Sequence, residues 1–326
     1  MDARVDLLGP AVLLAVACAG VMGYAIQRGA TCTVAAIDEL IMKRRPARLI
    51  AMLEASLWVA GGLALASVAG LSAAMPAAYP VTPWLFAGAA LLGVGASINR
   101  ACVFGAVARF GSGDWNYAAT PIGYFAGCVT VQSLFSAPAP MVVTDASPVL
   151  AAAGWVALAF VVFAASRTVP PLLALRAGAR QRLWTPHAAT AVIGVTFVVI
   201  LLSVGVWAYT DVLAQLAHGM SMRVALGVVC LIALYLGAWL GGRGGQRVPA
   251  TPGALMRCFA GGVLMAWGSL LIPGSNDGLI LIGLPLLRPY AWLAFATMCA
   301  AIVLARWSTL RSSHFGHVRG RSSSAS

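Results

Sequence analysis

The chain has 326 residues; 61% are apolar and only 9% are Asp, Glu, Lys or Arg, where a soluble domain carries roughly 25%. With a mean hydropathy of +0.90, these figures exclude an ordinary soluble protein, a disordered chain and a collagen-like one. The net charge of +12 falls in a few short loops and the C-terminal tail, so it forms no nucleic-acid face. What remains is an all-α polytopic membrane protein, because long continuous apolar runs stand where a β-barrel needs alternation.

Leu7 to Val16, followed by Ala17-Cys18-Ala19, imitates a signal peptide with its cleavage site. Asp2 and Asp6 outnumber Arg4 there, whereas such a signal needs positive charge. The segment therefore reads as the first membrane helix. Runs of about 20 apolar residues cross a bilayer. They predict nine spans, near 7–27, 47–71, 83–99, 117–135, 149–166, 188–208, 223–241, 254–272 and 290–307. Thr31 to Met42, Ala101 to Phe110 and Ser275 to Leu287 are too short to cross and read as re-entrant helices.

The cations orient these spans. Lys43, Arg44, Arg45 and Arg48 share one loop, Arg167, Arg176, Arg180 and Arg182 a second, and Arg243 and Arg247 a third. Loops 72–82 and 136–148 contain no Lys or Arg. Basic loops stay in the cytoplasm, which puts the N-terminus outside and the C-terminus inside. The tail, with Arg311, Arg319 and Arg321 among many Ser, is expected to be disordered over 311–326.

The chain also repeats itself. Ala87-Gly88-Ala89-Ala90-Leu91-Leu92 matches Ala260-Gly261-Gly262-Val263-Leu264-Met265 at an offset of 173. The same offset sets Gly95 on Gly268, Gly105 on Gly278 and Cys102 on Ser275. The two copies lie in spans of opposite direction, the mark of an inverted repeat. The halves are 1–148 and 149–310. No counterpart of Cys32 is visible near residue 205.

Three places share one design, in which a helix ends, the backbone breaks, a small polar or thiol side chain follows and a short helix begins. They are Gly23 to Cys32, Gly95 to Cys102 and Pro273-Gly274-Ser275-Asn276-Asp277-Gly278. Broken backbone at membrane depth must line a cavity or be buried in protein. A short helix starting there turns free N–H groups and a positive dipole end toward that cavity, which suits an anion. Gln27 and Arg28 precede the first break, and Asn99 and Arg100 the second. An arginine in a membrane faces a pore or a partner, or reaches the interface from a helix end. Cys32 and Cys102 stand beside these arginines, where a thiol is a stronger hydrogen-bond donor. Cys18, Cys128, Cys230, Cys258 and Cys299 read as small apolar packing residues. Glu54, inside the third helical run, needs a partner or a proton; Arg28 and Arg100 are the partners considered. Asp38 and Glu39 read as an interfacial cluster with Lys43 and Arg44. The sequence contains no metal-ligand cluster, P-loop or dinucleotide fingerprint, so neither cofactor nor enzyme is expected.

Taken together, Gly23…Gln27-Arg28-Gly29…Cys32, Gly93…Gly95…Asn99-Arg100-Ala101-Cys102…Gly105 and Gly261-Gly262-Val263-Leu264-Met265…Gly268…Pro273-Gly274-Ser275-Asn276-Asp277-Gly278-Leu279 resemble the YeeE/YedE family of sulphur-transport domain proteins. The resemblance covers residues 10–305. It implies a bacterial inner-membrane protein with an hourglass of short helices that takes up thiosulfate or a related sulphur compound. It also implies that pore-lining cysteines pass the ion by S–H hydrogen bonds, here at Cys32, Cys102 and Ser275. The family pattern Gly-Cys-Asn-Asp-Gly reads Gly-Ser-Asn-Asp-Gly in this chain. Serine still donates a hydrogen bond but forms no persulfide.

The expectation is a permease for a small sulphur-containing anion, thiosulfate first, with Cys32, Cys102, Ser275, Asn276, Arg28, Arg100, Asn99 and Gln27 lining its path. Two alternatives stand beside it. One is a membrane sulphur-transferase that hands a persulfide to a soluble sulphur-carrier protein. The other is an export channel for another small anion such as sulfite.

Overall fold

The computed structural model describes residues 9–71, 78–134, 147–176, 184–272, 274 and 276–322. In chain order the helices are α1 (Pro10–Gly29), α2 (Thr33–Lys43), α3 (Ala47–Val68), α4 (Pro83–Asn99), α5 (Val103–Gly111), α6 (Ala119–Leu134) and α7 (Pro148–Ala151). Then follow α8 (Ala153–Arg176), α9 (Pro186–Val204), α10 (Tyr209–His218), α11 (Met222–Gly241) and α12 (Pro252–Leu271). The chain closes with α13 (Asn276–Gly278), a π-helical turn over Leu279–Gly283, and α14 (Pro289–Ser322). Apolar runs form helices here because a helix satisfies every backbone group within its own segment. Proline opens α1, α4, α9 and α12, at the position where its missing N–H costs nothing.

Among the described residues, eight helical segments are long and apolar enough to cross a membrane. The ninth expected span, 117–135, is α6, whose 16 residues fall short of that length. Two expectations change. The run expected as one helix over 188–208 stops at Val204, and a further short helix, α10, follows it. The last helix continues to Ser322, through most of the segment expected to be a disordered tail.

Close glycine contacts fix the helix directions. Gly88 meets Gly268 and Gly95 meets Gly261, so α4 and α12 cross antiparallel. These are the glycines that the repeat sets on one another, exchanged across the interface. Gly88 touches the counterpart of Gly95, and Gly95 touches the counterpart of Gly88. Such a self-complementary contact belongs to a two-fold axis, here relating two halves of one chain.

The remaining pairings follow the same axis. Gly62 packs on Val198 and Gly194 on Trp58, so α3 and α9 run parallel. Gly237 packs on Gly20 and Gly241 on Tyr24, so α1 and α11 run parallel as well. One half is α1–α6 and the other α9–α14. The helix α8 lies between them in sequence and packs along α3 through Phe160 and Gly61. These directions gather the loops with Lys43 to Arg48, Arg243 and Arg247 at one end, together with Arg167 and the end of α14.

Candidate functional site

Four backbone breaks lie between α1 and α2, α4 and α5, α9 and α10, and α12 and α13. The first two are closed off by residues in the left-handed conformation, Ala30 at φ 48° and Arg100 at φ 61°. The short helix after each break starts at the same place in the molecule. The backbone N–H of Thr33, first residue of α2, donates to Cys102 Sγ at 3.2 Å. Asn276 Nδ2 donates to Thr33 Oγ1 at 3.3 Å. Thr210 Oγ1, on α10, donates to Asp277 Oδ1 at 2.6 Å. The Tyr209 hydroxyl donates to the Val103 carbonyl, at the start of α5, at 3.0 Å. The bonds close a ring through all four breaks, and Thr33, Cys102, Asn276, Asp277, Thr210 and Tyr209 are all buried.

The four helix starts are not equivalent. The carboxylate of Asp277 occupies that of α10, accepting from the Thr210 hydroxyl and from the Gly278 N–H at 3.0 Å. The starts of α2 and α5 present thiols instead, since Cys32 and Cys102 are their N-cap residues. The two cysteines meet there, since the N–H that donates to Cys102 Sγ belongs to Thr33, the neighbour of Cys32, and both are free. Gly105 makes this contact possible. A methyl group there would stand 2.4 Å from Cys32 Sγ.

Two small vestibules approach the ring from opposite ends. One, of about 10 Å³, is lined by Gly29, Thr31, Cys32, Arg48 and Met52. The other, of about 30 Å³, is lined by Val204, Val206, Trp207, Arg223 and Gly227. Each residue of the first set has its partner in the second 175 positions later. The two are therefore one vestibule built twice, each with an arginine from the first turn of the helix that follows the half-helix. Trp207 takes the place of Cys32, its indole N–H donating to the Gly227 carbonyl at 3.2 Å. Asp211 and Gln215 also line this second mouth.

The structure divides the residues singled out from sequence. Cys32, Cys102 and Asn276 meet at the ring. Asn99 is buried one step away and shapes the break, donating to the Ala101 carbonyl at 2.8 Å and accepting from Thr120 Oγ1 at 3.1 Å. Ser275 lies outside the described residues, between Gly274 and Asn276. Arg28 and Arg100 are exposed, with the Arg28 guanidinium 5.4 Å over the Tyr24 ring, so their charges do not stand against the buried sulfurs. Gln27 points to the far end of α5, donating to Ser112 Oγ at 3.4 Å.

The acidic residues also find other partners than expected. Glu54 pairs with Arg167 of α8 and with His187 Nδ1 at 2.6 Å, not with Arg28 or Arg100. Asp38 takes Arg306 of the last helix, whose Nε donates to it at 2.6 Å, and Glu39 takes Arg48 at 2.8 Å. Lys43 and Arg44 belong to neither pair.

Sequence reasoning passed over Thr31, Thr33, Arg48, Thr210 and Arg223. Thr31 is the most informative of these. Its hydroxyl is buried in the vestibule beside Cys32 without a hydrogen-bond partner, and the Oδ1 of Asn276 is likewise without one. Unpaired buried polar atoms are uncommon and call for a ligand or a function.

The sulphur transport family model matches residues 28–304, a span that includes all four breaks and both vestibules. The chain belongs to the sulphur transport, or YeeE/YedE, family. No curated protein sequence matches it. Membership in this family, with eight membrane-length helices, makes the chain a multi-pass membrane transporter concerned with sulphur compounds.

Proposed function

We propose that the chain imports thiosulfate across a bacterial inner membrane by passing it along the thiols at the crossing of the broken helices. The observation that carries this reading is the meeting of Cys32 and Cys102 at the starts of α2 and α5, where the Thr33 N–H donates to Cys102 Sγ and Gly105 leaves room for the Cys32 sulfur. A thiol is a soft, weakly hydrated donor, and two helix dipoles favour negative charge there. The arginine-rich end faces the cytoplasm by the charge rule. The anion is drawn to the Arg223 vestibule and passes Ser275 and Asn276. It then exchanges S–H hydrogen bonds at Cys102 and Cys32 and leaves beside Thr31 and Arg48. Selectivity arises in the narrow, dry constriction between the vestibules.

The test is uptake of labelled thiosulfate into proteoliposomes, with sulfate and sulfite as competitors. Cys102→Ala abolishes uptake, while Cys128→Ala and Ser275→Cys retain it. Equal uptake by Cys102→Ala and Cys128→Ala removes the thiol path.

The meeting of the two cysteines also favours a second reading, a sulphur-transferase serving a soluble carrier. A cysteine thiolate would attack the sulfane sulphur of thiosulfate, forming a persulfide as the S–S bond breaks and sulfite leaves. Mass spectrometry of Cys32 and Cys102 after exposure to thiosulfate tests for that adduct.

A further inference from the structure

A cavity of about 80 Å³ lies remote from the thiols, at the arginine-rich end where α5 and α11 finish. Its walls are mostly backbone, from Gly111 to Gly113 on one side and Gly242 to Gly245 on the other. Its charged lining is Arg243 and Arg247. The loop that carries them is stitched to the end of α5. The Val248 N–H donates to the Gly113 carbonyl at 3.0 Å, and the Thr251 N–H donates to Asn116 Oδ1 at 2.9 Å. The cavity is thus a built feature of the fold.

Neither arginine has an ion-pair partner among the described residues. Asp114, next to the cavity wall in sequence, is turned into its own turn, accepting from Asn116 Nδ2 at 2.8 Å. Arg243 lies over the face of Trp239, 4.6 Å from the ring centroid. That stacking fixes the guanidinium plane and leaves its N–H edges to a ligand. Two such forks around a small, glycine-walled cavity suit a tetrahedral oxyanion.

A second feature says which one. Ile232, Leu236 and Leu240 are exposed and recur every four residues, so they form one stripe along α11. The stripe ends one turn short of Arg243. Trp115 and Trp239 line the cavity beside it, at the level where indoles settle between headgroup and chain. We propose that this cavity binds the phosphate of an anionic phospholipid, with an acyl chain lying along Ile232, Leu236 and Leu240. The site lies on the cytoplasmic side, where basic pockets between helices take acidic headgroups. It pins the far end of α5, the helix that Cys102 caps.

The experiment uses the full chain in nanodiscs of phosphatidylcholine alone or with added phosphatidylglycerol. Phosphatidylglycerol raises the melting temperature of the wild type. The rise disappears in the double variant Arg243→Gln/Arg247→Gln, whose melting temperature in phosphatidylcholine equals that of the wild type. Native mass spectrometry counts retained phosphatidylglycerol independently of stability, and the variant retains several-fold less. Equal retention by variant and wild type overturns the proposal. So does an equal rise produced in phosphatidylcholine discs by inorganic phosphate or thiosulfate, which would make the occupant a free anion.

Discussion

Gly88 and Gly268 lie backbone against backbone. A methyl built on Gly268 would stand 2.5 Å from the Gly88 carbonyl oxygen, and one built on Gly88 would stand 2.7 Å from that of Gly268. The obstacle on each side is main chain, which cannot swing away as a side chain can. Gly268→Ala therefore forces α4 and α12 apart and costs about 3 kcal/mol, the upper range for overpacking. Thermal unfolding in detergent checks this. Gly253→Ala is the control, because nothing lies near a methyl at that position.

The Cys32 thiol occupies the space that a Gly105 side chain would need. Gly105→Ala displaces the sulfur and cuts thiosulfate uptake about tenfold, equivalent to roughly 1.4 kcal/mol in a transition state. It also lowers stability. In the Cys32→Ala background the same substitution meets no sulfur, so its stability loss shrinks. A double-mutant cycle measures that coupling, and strict additivity of the two changes would contradict it.

Thr210 and Asp277 join the two breaks of the second half. Thr210→Val leaves one oxygen of a buried carboxylate short of a donor, a loss on the order of 1–3 kcal/mol. Asp277→Asn keeps an acceptor for the Thr210 hydroxyl and is the milder change. Melting temperatures of the two variants should fall in that order.

Glu54 has the placement of a structural ion, held between Arg167 and His187. Glu54→Ala takes the carboxylate from Arg167 and His187, both partly exposed, and lowers stability by about 1 kcal/mol. Glu54→Gln keeps the shape, so uptake stays within about twofold of wild type and its pH profile is unchanged. A flattened pH profile in Glu54→Gln would instead show that this carboxylate carries protons.

The paired vestibules make a directional prediction. Arg223→Gln raises KM for thiosulfate offered from outside, whereas Arg48→Gln raises it for thiosulfate offered from the cytoplasmic face. Each shift is about five- to tenfold, as expected for loss of one charged contact. Right-side-out and inside-out vesicles separate the two. A shift on the same face for both variants would contradict the two-fold relation of the mouths.

Much of this was legible because the bilayer imposes a length on apolar runs, and three of the four breaks announce themselves through Arg-Gly-Ala-Thr-Cys, Asn-Arg-Ala-Cys and Pro-Gly-Ser-Asn-Asp-Gly. The break after Val204 did not. Val204-Gly205-Val206-Trp207-Ala208 is apolar and continues a hydrophobic run. Its polar needs are met from far along the chain, by Asp277 on Thr210. Ion pairs were hidden for the same reason, since the partners of Glu54 lie 113 and 133 residues away. The short helix α10 was missed, although α2 and α5 of similar length were read, because no polar or charged break stands before it. The repeat showed in the α4 and α12 glycines, where backbone contact restricts the residue type. It vanished between Cys32 and Trp207, where the two mouths keep a shape but not a chemistry.

Almost nothing of α8 is buried, yet the fold requires a helix in its place. With the shorter α6 counted as a crossing, each half crosses four times, so its chain leaves the membrane on the side where it arrived. Joined directly, the second half would insert the same way up as the first. The four breaks could then never face one another. The extra crossing turns the second half over. Its identity as a sequence is nearly free, apart from the few residues that touch α3. A foreign apolar helix grafted over 153–173 that keeps Phe160 and Arg167 should support assembly, while deletion of the segment should leave two halves that each insert and cannot mate.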